Sequence, residues 1–227
     1  MLRFKELYEL WRSDNSLTEA IHDSHKMLEE TFEMFRESVA SLRQSDTGDL
    51  KINVYQKDQV VNTYIREVRK KVLKHLAITG GMNIIPGLIL TSIVVDIERI
   101  GDYTKNIMDL AVAHPRRLKG REYEESYQEI EQTVLETFQK LIPILRESDK
   151  AAAAELHKKN YWVLKKCDEI VTALIKEENK KNTQKDAATR ALYARHLKRI
   201  SAHLFNIASS VVNPFEHIGF KPEEAGA

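Results

Sequence analysis

Apolar residues recur at steps of three and four along most of this chain, and strict alternation is nearly absent, a period that predicts helices rather than strands. Leu17, Ile21, Leu28, Phe32, Phe35, Val39 and Leu42 draw one apolar stripe and predict a first helix over about Ser16 to Arg43. Ser45-Asp46-Thr47-Gly48-Asp49 breaks the stripe with turn chemistry. Val54, Val61, Ile65, Val68, Val72 and Leu76 predict a second helix to about Ala77, closed by Gly80-Gly81. Pro86 suits the first position of a third helix, which runs to about Ala113 and stops at His114-Pro115.

The same plan then recurs. A fourth helix is expected from Tyr123 to Arg146, with Pro143 kinking or ending it. Ser148 is the expected cap of a fifth, continuing to about Asn179, and a sixth spans Asp186 to Val212 and ends before Pro214. Ile97-Glu98-Arg99-Ile100-Gly101-Asp102 is answered one hundred positions later by Leu197-Lys198-Arg199-Ile200-Ser201-Ala202, and Asn106-Ile107 by Asn206-Ile207. Matching at a fixed offset marks an internal repeat. The expected fold is all-α, two tandem three-helix bundles. Residues 1–113 hold an N-terminal amphipathic segment (Met1 to Arg12) and the first bundle. Residues 114–121, His-Pro-Arg-Arg-Leu-Lys-Gly-Arg, form a basic linker. Residues 122–212 form the second bundle, and 213–227 a flexible tail.

Composition narrows the function classes. A chain of 227 residues can bury a sizeable core, and 8 Gly with 5 Pro are too few for a loop-rich β-sandwich. The formal net charge of +1 provides no global field for nucleic acid or an anionic membrane. Cys167 stands alone, which excludes an internal disulfide framework and fits a reducing compartment. The longest apolar run, Met82 to Val95, is interrupted by Asn83, Pro86 and Gly87 and falls short of the about 20 residues that span a bilayer. Met1 to Trp11 lacks the apolar core of a secretory signal. A cytoplasmic protein is expected.

Glu98 and Asp102 stand four apart on the third helix, so both carboxylates leave from one face, and Asn106 extends the line. Flanking Ile93, Ile97, Ile100 and Ile107 argue for partial burial, which raises the cost of two like charges unless a cation answers them. That cation is either Arg99 or a bound metal ion. Asp58 and Asn62 form a second pair at the same spacing on helix two, and antiparallel packing would bring the four oxygen-bearing side chains together. Carboxylates at this spacing are also commonplace on solvated helix faces. Gly101 inside a helix costs about 1 kcal/mol against alanine, and close helix approach is the expected reason for it.

Asp96-Ile97-Glu98-Arg99-Ile100-Gly101-Asp102 followed by Asn106-Ile107 closely resembles the signature of the PhoU family. The resemblance covers nearly the whole chain and is most specific at this first signature. It implies two symmetric three-helix bundles and a non-enzymatic regulator of phosphate uptake and phosphate-starvation signalling. Such a regulator links a phosphate transporter to a membrane sensor kinase, as a homodimer. Several members carry metal on paired acidic motifs, so Glu98 and Asp102 would be metal ligands, with Asp58 the acidic position of the second helix. Asn62 replaces the family's second acid there. In the second repeat Lys198 and Ala202 replace the Glu and Asp, and the helix-five counterparts are Asn160 and Leu164. At most one divalent ion (iron, zinc, manganese or magnesium) is therefore expected, in the first bundle.

The remaining chemistry-bearing residues read more simply. His22, His25 and Glu29 share one face of helix one, as a metal face or a solvated one. Lys158-Lys159 and Lys165-Lys166 form a basic stripe on helix five, and Cys167 sits among apolar neighbours. No nucleophile with a base, glycine-rich phosphate loop or triad is present. A ferritin-like di-iron enzyme needs two Glu-x-x-His motifs, and Glu19-Ala20-Ile21-His22 is the only one. Direct nucleic-acid binding lacks a basic excess and a recognition motif. A sibling reading within the fold is an accessory protein of a secondary phosphate carrier.

Overall fold

The structure, a computed structural model, describes residues 15–46, 52–81, 83–114, 116–176 and 186–220. The amphipathic segment at Met1 to Arg12 lies outside the described residues. Among them the secondary structure is helical, without strands: α1 Asn15–Gln44, α2 Val54–Ile78, α3 Ile84–Ala113, α4 Glu124–Glu147, α5 Lys150–Asn160, α6 Trp162–Ile175 and α7 Ala187–Val212. Short 3-10 turns occupy Arg121–Tyr123 and Phe215–His217. None of the helices is long and apolar enough to cross a membrane.

The expected elements form, with local differences that have physical causes. Pro86 is the third residue of α3 rather than the first, still among the four N–H positions that lack an intrahelical acceptor. Asp149, not Ser148, caps α5: its carboxylate accepts the Ala152 N–H at 3.0 Å, while Ser148 ends α4 in the left-handed region at φ 54°. Pro143 neither ends nor breaks α4, because it faces solvent on the exposed side, where water can take the freed carbonyl. The expected fifth helix is two, α5 and α6. They meet at Tyr161, whose backbone stays helical but carries a tightened Leu164 N–H to Tyr161 carbonyl bond of 3.2 Å. The chain beyond α7 folds back as far as Phe220. Asn213 Nδ2 donates to the carbonyls of His217 (2.9 Å) and Phe220 (3.0 Å), and the Gly219 N–H donates to Ser209 Oγ (2.8 Å).

Helices α1, α2 and α3 pack together as one group, and α4 to α7 as the other. Two contacts join the groups. On one side α1 lies on α4, where Phe32 and Phe35 meet the buried Phe138 ring at centroid distances of 5.2 and 5.6 Å. On the other α3 lies against α7. There Asp96 Oδ1 accepts from His203 Nδ1 at 2.6 Å and from Asn206 Nδ2 at 3.0 Å. Tyr103 stacks near His196 (6.0 Å) and His203 (5.8 Å) and accepts from Arg199 Nε at 3.1 Å. Position 96 thus meets 203 while position 103 meets 196, the reciprocal pairing of a two-fold contact with the repeat offset applied. The pairing also makes α3 and α7 antiparallel.

The α1–α4 contact continues into a polar, buried network. Arg43, at the end of α1 and only 7% exposed, places Nε 2.8 Å from Glu131 and Nη2 2.5 Å from Glu124, both on α4. Its third nitrogen, Nη1, donates to the carbonyl of Leu118, and the guanidinium lies 5.6 Å from the Tyr127 ring centre. Tyr193 of α7 donates to the same Glu131 at 2.7 Å. Burial alone would lower the Arg43 pKa, but Glu131 and Glu124 outweigh it and hold the guanidinium charged. Removing one member of such a network leaves a buried charge unanswered. Arg43→Met, which keeps the apolar stem, is expected to cost about 3–5 kcal/mol in chemical denaturation. A cost below about 1 kcal/mol would place the network in the class of solvated ion pairs.

His25 on α1 gives a pH signature. Burial, with Arg146 and His22 nearby, pushes its pKa down to about 4 from the ordinary 6.5. Above pH 6.5 the ring is neutral folded and unfolded. Between 6.5 and 4 the unfolded chain takes the proton first, so stability falls as pH drops through that window. The loss should total about 2–3 kcal/mol. Thermal melts between pH 7 and pH 4 should show it, and His25→Gln should flatten the slope. An unchanged slope would assign the acid loss to other groups.

Candidate functional site: an acidic patch answered by a lysine

Helices α2 and α3 form an antiparallel hairpin. Tyr55 donates to Asp109 at 2.7 Å near the end remote from its turn, and Gly87 meets Val72 and Leu76 near the turn. Alanine at Gly87 would bring a Cβ to 2.9 Å from Val72, so the tight approach lies here. At Gly101, by contrast, a Cβ would sit 3.6 Å from Thr31 and Val61, ordinary contact. Close approach therefore does not explain the glycine of the signature, and nothing else in the structure does.

Between the two ends, the hairpin brings two of the four sequence-predicted site residues, Asp58 and Asp102, onto a fifth, with Asn62 bonded to Asp58 and Glu98 beside Arg99. Lys105, one turn beyond Asp102 on α3, places its ammonium 2.9 Å from Asp58 Oδ2 and 3.3 Å from Asp102 Oδ1. Asn62 Nδ2 donates to the same Asp58 oxygen at 3.3 Å. Arg99 reaches Asp102 Oδ2 at 3.1 Å and lies 3.5 Å from Glu98 Oε2. Burial works against the Lys105 charge, but its bonds to Asp58 and Asp102 outweigh this and raise its pKa. Glu98 shifts up, first through burial and then through repulsion from Asp102.

This arrangement does not fit a resident divalent ion. A carboxylate cage needs its oxygen lone pairs free and its charge unanswered. Here Asp58 already accepts from a lysine and an amide, and Asp102 from a lysine and an arginine. The shallow pocket of about 520 Å³ beside Glu98 is lined by Arg66, Arg69 and Arg99 as well as Asn62, a poor field for a cation. Among the described residues no three His, Cys, Asp or Glu side chains are grouped to hold a metal. The face of His22, His25 and Glu29 is not such a group, since Glu29 pairs with Arg146 across the α1–α4 contact at 2.7 Å. Glu19 of the lone Glu-x-x-His run pairs with Lys71 at 3.3 Å.

The second repeat solves its electrostatics differently. Lys198, at the position of Glu98, pairs with Asp168 on α6 at 2.5 Å, and Asn160 is buried with its amide on Thr137 Oγ1 at 2.9 Å. Cys167 beside them is buried, and burial pushes its thiol up to about 12, which makes it a packing residue. Sequence reading passed over Lys105, Asp168 and the part Asp96, the first residue of the signature run, plays across the α3–α7 contact. Only Lys105 carried a local signal, its i, i+3 spacing from Asp102. The other two are recognisable only through helices that pack on theirs.

The sequence matches the PhoU domain twice, over residues 25–111 and 127–211, and the chain belongs to the PhoU family. Its fold is similar to the crystal structure of PhoU from Pseudomonas aeruginosa, with a TM-score of 0.77 at 18% identity, covering 89% of this chain and 97% of that one. It is also similar to the phosphate transport system regulatory protein PhoU from Streptococcus pneumoniae, with a TM-score of 0.70 at 15% identity, covering 86% and 93%. A comparison with curated proteins gives no match.

The lysine makes the metal question decidable. Wild-type protein purified without a metal-affinity tag is expected to carry no stoichiometric divalent ion, and Lys105→Ala to bind manganese, zinc or iron more tightly than wild type. Elemental analysis and metal titration of both read this out. A near-stoichiometric ion in the wild type, lost in Glu98→Ala/Asp102→Ala, would restore these residues as metal ligands.

Proposed function

We propose that this chain is a regulator of phosphate transport and phosphate-starvation signalling, a non-enzymatic adaptor between a phosphate transporter and a membrane sensor kinase. The observation that carries the reading is the pair of PhoU-domain matches, which together span most of the chain and lie on its two helical groups. The Streptococcus relative, a phosphate transport system regulatory protein, supports the same reading. The adaptor works through helix faces. Asp58 and Asp102 are engaged by Lys105 and Asp102 also by Arg99, so these carboxylates serve the α2–α3 hairpin, which supports an architectural use of them. Its place is the cytoplasm, reaching the membrane through its partners, and its working form is a homodimer.

Deleting the gene in its own host is expected to change phosphate uptake and the expression of phosphate-starvation genes in phosphate-replete medium, with the tagged chain co-purifying with transporter components and the kinase. Recovery of a secondary carrier alone would move the role to that transporter. Unchanged uptake and expression at both high and low phosphate would remove the regulatory reading.

A further inference from the structure

The basic segment between the two PhoU repeats has no part in the reading above, yet it is firmly anchored. Leu118 is 1% exposed, its N–H donates to the Leu42 carbonyl at 2.7 Å, and its own carbonyl accepts from Arg43. Gly120 is buried and donates its N–H to Glu124 Oε2 at 2.5 Å, and a Cβ there would lie 2.8 Å from the Glu124 backbone. With Leu118 and Gly120 turned inward, Arg116, Arg117, Lys119 and Arg121 are left on the exposed side. Arg121 adopts φ 55°, a left-handed backbone that a non-glycine residue rarely takes.

These four cations line an open pocket of about 1100 Å³, together with His114 at the end of α3 and Thr189 at the start of α7. Two acids also line it. Asp186 is occupied: it accepts from Arg121 at 2.9 Å and lies 3.3 Å from His114 Nε2, and these partners outweigh its burial and hold it below the ordinary carboxylate range. Asp46 accepts the Arg117 N–H at 3.3 Å and lies 3.7 Å from its Nε. Among the described residues, Arg116 and Lys119 have no side-chain partner. The lining therefore carries an excess of positive charge in a concave surface whose loop is fixed before any ligand arrives. Guanidinium groups carried on a fixed backbone suit phosphate oxygens, because their planar forks can pair two oxygens at once. The volume is far larger than one inorganic phosphate, and the lining cations come from four separate positions of the loop.

We infer that this pocket binds a small molecule carrying two or more linked phosphates, a pyrophosphate or a nucleoside di- or triphosphate. The inference stands on the loop and its charges and is independent of the regulatory role. The test is isothermal titration of the full chain, at fixed ionic strength, with pyrophosphate, ATP, inorganic phosphate and sulfate. Saturable binding of pyrophosphate or ATP is expected, about tenfold or more tighter than inorganic phosphate or sulfate. Arg116→Gln/Lys119→Gln should weaken it by about tenfold or more without moving the melting temperature, since neither side chain is part of the packing. Lys158→Gln/Lys159→Gln, on the separate basic stripe of α5, should leave it unchanged. Mutual competition between ATP and pyrophosphate would assign recognition to the phosphates, and binding of ATP alone would add the nucleoside to it. The inference is overturned by no saturable binding of either ligand, by equal affinity for sulfate, or by binding that the Arg116/Lys119 variant leaves intact.

Discussion

Burying a guanidinium at the end of a helix is costly unless its charge and its donors are answered, and at Arg43 every answer comes from beyond the first repeat. Glu124 and Glu131 come from α4, and the Leu118 carbonyl from the joining loop. Glu131 in turn takes the Tyr193 hydroxyl of α7. Several otherwise separate features follow from this one requirement. The loop cannot lift away without stranding a donor, α4 must begin where Glu124 can reach both Arg43 and Gly120, and α7 is tied to the same carboxylate. Hydrophobic contact such as Phe35 on Phe138 supplies adhesion between the groups but little direction. The ion network selects one register among those the apolar faces would allow.

The α3–α7 seam shows what an internal repeat can do that a symmetric dimer cannot. In a homodimer both copies of a two-fold contact carry the same residues. Here the geometry is reciprocal while the chemistry has parted: Asp96 with His203 is a hydrogen-bonded polar pair, and Tyr103 with His196 is an aromatic one. Burial lowers the His196 pKa, which suits a ring against a tyrosine face. Fusing the halves lets each side of one contact be tuned separately while the backbone arrangement is kept.

Much of this was legible in the sequence, and the part that was not has a common cause. Helix period located the helical segments because each buries a stripe of its own residues, a local property. Cap positions slipped by a residue, as at Ser148 and Asp149, because two adjacent side chains could each accept the first free N–H and only the backbone path decides between them. The acidic residues of the signature were found, and Asp58 and Asp102 do come together, with Asn62 bonded to Asp58 and Glu98 beside Arg99. Arg99, one of the two cations expected there, does answer Glu98 and Asp102, but Lys105 was missed, because a lysine at i+3 reads as a solvated side chain until the facing helix is seen to bring Asp58 to it. Arg43 with Glu131, and Asp96 with His203, join residues far apart in the chain, and no local pattern announces such pairs. The basic run at 114–121 was visible, but only as a boundary. That it is nailed down at Leu118 and Gly120 is a tertiary fact.

A tethered ammonium and a dissociable metal ion are different answers to the same repulsion between carboxylates. The occupancy of an ion follows its concentration, so a patch that depends on it can change state. Lys105 is attached to the helix that carries Asp102, and its local concentration at the patch is set by the chain itself. The electrostatics of the α2–α3 hairpin are then a fixed property of the fold. In the basic pocket the balance is the reverse: Asp186 is held by two partners, while Arg116 and Lys119 have cationic capacity that the described residues do not use. Charge that the fold satisfies internally contributes to architecture, whereas charge it leaves unsatisfied on an anchored loop is free to respond to solution. By that criterion the responsive electrostatics of this protein lie at the joint between its repeats and not at the signature that identifies its family.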